Sequence, residues 1–549
     1  MTENVIGRTE EPPPLVKLFR ATERFHLPLL LIFAFALRFV RCGQYLDADE
    51  LINFRNVHHF FHDRTILPYE KLYPTLYSYL MALPTMAGAL LLRAVGWLST
   101  VNDITALTTI DSRLPVLPGR LLSALLGTAT IFAVFRVGER NYGRAAGLFA
   151  GLFLTVSDLH AKLSAYALAD ATTAFFAVLS LGYALRAAQR EQLKDFLLAS
   201  FFAGLATSTK YNAALTCVPV MCAYAATLYR RGALFRAGEW TRALGCAGTF
   251  VGAVILGSPA WLLRPDFMAS GFRYNFGVVN SGGHTMFYSK PFVDLLRFGW
   301  QEEHLLFGLY LLSFAFLLFR PNSREWIICS GLLLPFLYVG TWRYQSFHYL
   351  LYTFPAAALG IGRGCNLCLA FASRWQPRWA LSFAMGALAL LLAAGSIIQA
   401  LPFFLPDSRY VAQAWINQNV PEGSRIVMDP MYVPRLLDEE LKTMLAGKHR
   451  GVYDRYLKEE RSYRLSEIQM DTEWLTGVPA DYLVISSDWY ARYLRAEPPA
   501  SGGPRFAELT RARVMYQALV NDGRGCGWKL AESVWTGNGP RLLIYSRET

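Results

Sequence analysis

Between Tyr45 and Arg64 the chain reads YLDADELINFRNVHHFFHDR, and Asp47-Ala48-Asp49-Glu50 sets three carboxylates side by side. Asp47 followed three residues later by Glu50 is the pattern of a helix capping box, which accounts for two of them. Asp49 is left over in the first turn, where the helix macrodipole favours an anion. Leu51, Phe54, Val57, His58 and Phe61 recur at helical spacing, so this helix is expected to be amphipathic and to lie on a membrane surface. A carboxylate at such a boundary suits a base that takes the proton from an attacking hydroxyl. Asp49 is therefore the first catalytic candidate, with Glu50 beside it. His58 and His62, one turn apart, offer a weaker alternative as a metal pair. No H-E-x-x-H pattern accompanies them, so no cofactor is expected to be required. Lys210 stands between two apolar runs, where a lone ammonium is costly to bury, and is a further candidate. Asp158 follows Ser157 at a helix break and reads as part of a cap. Asp170 is the better candidate for a contact to substrate. Arg38 and Arg41 close the first apolar run and are expected to snorkel to the interface.

The elements that must hold these residues follow from composition. Of 549 residues 53% are hydrophobic and 17% charged, against about 25% charged in a soluble domain. Apolar runs near 26–43, 119–138, 144–159, 167–187, 195–209, 212–229, 243–263, 303–320, 325–342, 347–371 and 379–403 are candidate spans, about eleven in all. The first lacks a small-residue cleavage site and reads as a retained anchor. With the N-terminus cytoplasmic, the even-numbered junctions are short and basic, carrying Arg136, Arg140, Arg144, Arg186, Arg190, Arg230, Arg231, Arg236, Arg242, Arg320, Arg324, Arg374 and Arg378. Two long outer segments result, about 44–118 and 264–302. Residues 405–549 alternate strand-like runs with polar helices and read as a soluble, extracytoplasmic α/β domain. The net charge of +12 is then largely a matter of topology, and nucleic acid is excluded as a partner. Eight cysteines form no disulfide framework, and neither a P-loop nor a dinucleotide fingerprint is present.

Further along the first outer segment stands Tyr69-Glu70-Lys71-Leu72-Tyr73-Pro74-Thr75-Leu76-Tyr77-Ser78-Tyr79-Leu80. A D-E pair just past the first span followed by Y-P-x-L-Y-x-Y-L resembles the GT-C integral-membrane glycosyltransferases. Within that class it is most similar to the branch of the protein O-mannosyltransferases and lipid A aminoarabinose transferases. Pro118-Gly119-Arg120-Leu121-Leu122-Ser123, Ser157-Asp158-Leu159-His160 with Tyr166 and Asp170, Thr209-Lys210-Tyr211-Asn212 and His348-Tyr349-Leu350-Leu351 agree in order and spacing. The resemblance covers about residues 26–405. Two extra residues separate Glu70-Lys71 from Pro74, a departure that leaves the sugar open.

The resemblance implies an all-α polytopic domain with interfacial helices, followed by the α/β domain. It implies inverting transfer of a monosaccharide from a polyprenyl-phosphate donor on the outer face of the cytoplasmic membrane. The acceptor is a lipid, glycan or protein, and the enzyme is expected to be a monomer. A phosphate leaving group calls for cations rather than a general acid. Arg55, Lys71, Lys210, Arg273, Lys290 and Arg343, with His284 and His348, are the candidates for donor binding, joined by Tyr77 and Asp170. The glycine-hinged stretch 281–290 is expected to close on the donor. A transporter or flippase and a whole-glycan ligase are the competing readings.

Overall fold

The computed structural model describes residues 23–548 apart from 105, 108–110, 112, 234–235, 282–289, 373–377, 470, 496–503 and 522–525. The chain opens with α1 (Glu23–Phe39), then α2 (Ala48–His62) and α3 (Leu76–Ala94). The bundle continues with α4 (Leu117–Tyr142), α5 (Arg144–Val156), α6 (Asp158–Leu163), α7 (Ala169–Arg190), α8 (Leu193–Thr207), α9 (Cys217–Arg230) and α10 (Ala237–Gly257). It closes with α11 (Pro265–Ser281), α12 (Val293–Glu303), α13 (Leu305–Leu318), α14 (Ser323–Gly340), α15 (Phe354–Ala372) and α16 (Arg378–Ala400). A helix occupies each of the eleven apolar runs. Among the described residues seven helices are long and apolar enough to cross a membrane, and α5 and α13 are shorter apolar helices. The protein is a multi-pass membrane protein.

Helix breaks follow local chemistry. Gly143, at φ +94°, separates α4 from α5 in a conformation that Cβ-bearing residues rarely adopt. Ser157 Oγ accepts from the His160 N–H at 3.1 Å and starts the six-residue α6. Helix contacts use small residues, as membrane bundles do. A Cβ on Gly204 would stand 2.4 Å from the Phe250 carbonyl, so α8 and α10 meet backbone to backbone there.

After the bundle, α17 (Ser408–Asn419) leads into a six-stranded sheet whose connections include α18 (Glu439–Lys448) and α19 (Thr472–Gly477). Its strands are β1 (Arg425–Met428), β2 (Leu437–Asp438), β3 (Ser462–Glu467), β4 (Tyr482–Ser486), β5 (Trp528–Val534) and β6 (Leu542–Arg547). Their order is β2-β3-β1-β4-β6-β5. β1 pairs in parallel with β3 and β4, and β6 runs antiparallel to β4 and β5. Alternate residues enter two separate cores. Val427, Leu483, Ile485, Leu543 and Tyr545 join one with α20 (Ser487–Arg495) and α21 (Pro504–Asn521). Ile426, Val484, Leu542 and Ile544 join the other with Ala412 and Ile416 of α17. Both faces are covered, which is why the central strands are apolar without alternation.

The sheet domain is seated on the first outer segment. Phe54 and Val57 of α2 and Tyr77 and Met81 of α3 share one core with Leu437, Leu445, Val452 and Leu457 of the domain. The apolar face of α2, expected to rest on lipid, is thus spent on protein contacts. His449 Nδ1 lies 2.8 Å from Asp103 Oδ1, and Arg409 stacks 4.0 Å over Tyr45.

Candidate active site

A cavity of about 170 Å³ opens where α2, α6, α7 and the Lys210 turn converge. Asp47, Asp49, Asn53, Tyr73, Lys162, Tyr166, Asp170, Lys210 and His348 supply its polar lining. The capping box places the acids. Asp47 Oδ1 accepts the Asp49 N–H at 2.9 Å, and Glu50 Oε2 accepts the Asp47 N–H at 2.9 Å. Asp49 is thereby left with its carboxylate toward the cavity, where the Tyr73 hydroxyl donates to Oδ2 at 3.3 Å.

Asp49 meets solvent through the cavity, yet protein crowds it on most sides. Burial raises its carboxyl above the ordinary range; Lys210 pulls it down, Asp170 adds to the rise and the Tyr73 hydroxyl opposes it. A more basic carboxylate accepts a proton more readily. Burial pushes Asp47 up to about 6, against the pull of the Asp49 N–H. Burial, then the negative charge of Asp49, keeps the Tyr73 phenol protonated.

The cations come from two helix breaks. Lys210 follows α8, and its Nζ donates to Asp170 Oδ1 at 2.6 Å from within the protein. Nζ also lies 5.2 Å from the centre of the Tyr349 ring. Asp170 sits in the first turn of α7, where an anion is favoured. His348 Nδ1 is 2.5 Å from Ser346 Oγ. Lys162, on α6, also lines the cavity.

Of the residues singled out in the sequence, Asp49, Asp170, Lys210 and His348 meet in this cavity. Glu50 does not line it. Its carboxylate is fully buried and accepts from Arg120 Nε at 2.7 Å, Arg120 Nη2 at 2.5 Å and the Ala167 N–H at 2.7 Å. Arg120 also donates to the carbonyls of Cys42, Gln44 and Tyr45. This fork-to-fork pair ties the chain after α1 to α4 and to the turn before α7. Tyr77 is buried beside α4, its hydroxyl 2.8 Å from Ser123 Oγ and donating to the Gly119 carbonyl. Arg55 is exposed and donates to Glu70 at 3.1 Å. Lys71, Arg273, Lys290 and Arg343 are exposed and absent from the cavity lining. His284 lies outside the described residues, as does most of the stretch 281–290.

Arg38 and Arg41 do not snorkel. Both are buried, Arg38 Nη2 lying 2.6 Å from His160 Nδ1 and Arg41 Nη2 donating to Asp158 Oδ1 at 2.6 Å. They brace the α5–α6 break that carries Lys162. His58 and His62 stack at 5.2 Å between ring centres. Among the described residues no group of three or more His, Cys, Asp or Glu is arranged to hold a metal ion.

Asn53 and Lys162 line the cavity without having been singled out, and Tyr73 and Tyr166 line it having been named only within motifs. Asn53 lies one turn beyond Asp49 and so shares its helix face. Tyr73 precedes Pro74, a position biased to extended backbone, whereas Tyr77 belongs to the packed helix. Lys162 follows His160 in a break on the outer side of the expected topology.

The cavity thus brings the Asp49 carboxylate together with Lys162 and Lys210 at breaks in the helical membrane bundle. Residues 104–255 match the family described as dolichyl-phosphate-mannose-protein mannosyltransferase, which bears out the GT-C glycosyltransferase resemblance and the enzyme class. No curated protein matches the chain. Among solved structures, ArnT from Cupriavidus metallidurans bound to undecaprenyl phosphate is 14% identical with a TM-score of 0.48, covering 96% of this chain and 98% of that one. The Archaeoglobus fulgidus oligosaccharyltransferase with zinc and sulfate is 11% identical with a TM-score of 0.45, covering 86% and 70%. The S. cerevisiae protein O-mannosyltransferase Pmt1-Pmt2 complex bound to the sugar donor is 17% identical with a TM-score of 0.33, covering 52% and 38%.

Proposed function

We propose that the protein moves a monosaccharide from a polyprenyl-phosphate donor to an acceptor hydroxyl, with inversion at the anomeric carbon. The acceptor oxygen attacks that carbon while its proton passes to Asp49. The bond from the anomeric carbon to the phosphate oxygen breaks, and its electron pair leaves with the lipid phosphate. Lys162 and Lys210 offset the charge that develops there, so no general acid is needed. Asp170 holds Lys210 in place, and His348 and Tyr73 border the sugar. The N-terminus is cytoplasmic, and the cavity and the domain of residues 405–549 face outward from the cytoplasmic membrane. The protein acts as a monomer and without a metal.

The observation that supports this function best is Asp49 and two lysines on the walls of one cavity. A pump or flippase would instead place ionisable side chains along a central path through the bundle. The test is turnover of a polyprenyl-phosphate sugar by detergent-purified protein. Asp49→Asn is expected to cut kcat by about 10²–10⁴-fold while leaving donor binding and thermal unfolding unchanged. EDTA is expected to leave the wild-type rate as it is. Near-normal turnover by the variant would overturn the role of Asp49.

A further inference from the structure

The lipid-facing side of α16 does not stop where the helix stops. Leu390, Ile397 and Leu401 follow one another at helical spacing and are exposed, as side chains set against lipid are. The chain then makes a single 3₁₀ turn, Leu401–Phe404, in which residues three apart eclipse. Phe404 therefore continues the stripe, 70% exposed, and Leu405 beside it is exposed as well. The first span sets the level of this turn. The Arg41 guanidinium lies 5.0 Å from the centre of the Phe403 ring, and Arg41 belongs to the turn Val40–Gly43 with which that span ends. Phe404 and Leu405 thus stand where two spans leave the bilayer core.

The tip of the β5–β6 hairpin is fastened to the same point. Thr536 Oγ1 donates to the Pro406 carbonyl at 2.7 Å, and Asn538 Nδ2 donates to the Leu405 carbonyl at 2.9 Å. The Ser408 N–H donates to the Asn538 carbonyl at 2.9 Å. Gly539, at φ +82°, passes so near that a Cβ there would stand 2.7 Å from the Asp407 carboxylate. Trp535, one residue before Thr536, is 68% exposed. Its neighbour Val534 and the facing Leu542 fill the core at this end of the sheet, and Trp535 belongs to neither of the domain's cores among the described residues.

We propose that the hairpin tip is an interfacial anchor: Trp535, with Phe404 and Leu405, is seated in the headgroup boundary of the bilayer, and lipid covers this apolar patch. Lipid is the occupant because the patch is continuous with the lipid-facing stripe of α16 and is held at the level where that span ends. An indole suits this level, its ring meeting the acyl chains while its N–H stays among polar headgroups. The sheet domain is then held at two places, by the core it shares with α2 and α3 and by the bilayer at the hairpin. This anchoring does not depend on the reaction at the Asp49 cavity.

The test uses the full-length protein with its eight cysteines replaced. One new cysteine is introduced by Trp535→Cys, Phe404→Cys or Leu530→Cys and labelled with the fluorophore NBD. Leu530 is also exposed and lies about 15 Å along β5 from Trp535, so it serves as the control. The proteins are reconstituted into vesicles of phosphatidylcholine and phosphatidylglycerol. Labels at 535 and 404 are expected to emit at shorter wavelength than the label at 530, to lose at least half their intensity to doxyl-bearing lipids, and to be shielded from iodide. The label at 530 is expected to answer to iodide alone. Iodide quenching at 535 without doxyl quenching overturns the proposal. Shielding from both quenchers overturns it too, since a second copy of the chain would then cover the patch. The protein with its native cysteines gives a second measurement. The tryptophan emission that Trp535→Leu removes is expected to be smaller in vesicles of brominated phosphatidylcholine than in unbrominated ones, and equal removal in both overturns the anchor.

Discussion

Adjacent carboxylates in one turn have opposite fates. Asp49 and Glu50 differ by 100° around α2, which sends the first to the cavity and the second into the protein against Arg120. A similar contrast of environment governs Asp429, which is fully enclosed and pushed up to about 7 by burial, while Tyr516 and the Ser486 N–H pull it down. The sign of its effect on stability follows from linkage. Below about pH 4 the carboxyl is protonated folded and unfolded alike and contributes no slope. Between about 4 and 7 the folded protein keeps a proton that the unfolded chain gives up, so stability falls as pH rises. Asp429→Asn keeps an oxygen to accept the Ser486 N–H, donates its amide N–H to the Tyr516 oxygen in place of accepting from it, and removes this term. It is expected to unfold at higher temperature than wild type at pH 8, with the gap closing toward pH 4. Melting curves of the purified protein at both pH values check this, and a gap independent of pH would remove Asp429 as the cause.

Elements, rather than single residues, set the position of Asp49. The Glu50–Arg120 pair joins the end of α1, the start of α2, the start of α4 and the turn before α7 through hydrogen bonds that leave neither charge exposed. Removing one partner strands the other in a dry interior, at about 3–5 kcal/mol. Arg120→Leu is therefore expected to lower the unfolding temperature and to cost activity beyond the loss of folded protein, because the capping box loses its anchor. Activity per folded molecule, measured after size-exclusion chromatography, separates the two effects. Retention of full specific activity would show that the N-cap alone holds Asp49.

For the whole molecule, the topology proposal puts residues 230–240 on the cytoplasmic face and 405–549 on the other. Single cysteines introduced at exposed positions in these segments are expected to be labelled from opposite sides of the membrane by an impermeant maleimide. Labelling of both from one side would overturn the orientation.

Apolar run length and Lys/Arg asymmetry are local properties of the chain. The sequence alone therefore determined the bundle, the boundary near residue 405 and the capping box that singles out Asp49. Lys210 stood out because a lone ammonium beside apolar runs is costly to bury, Asp170 because it lies at a helix junction, and His348 through the resemblance. Which charges meet is a matter of packing between segments far apart in the chain. Arg55, Arg273 and Arg343 are basic and near the right junctions, yet their helices and loops present them to the outside, while Lys162 is brought in by the brace of Arg38 and Arg41. The seating of the α/β domain on α2 and α3 was beyond sequence reasoning for the same reason, because it is decided by a shared apolar core that no local pattern records.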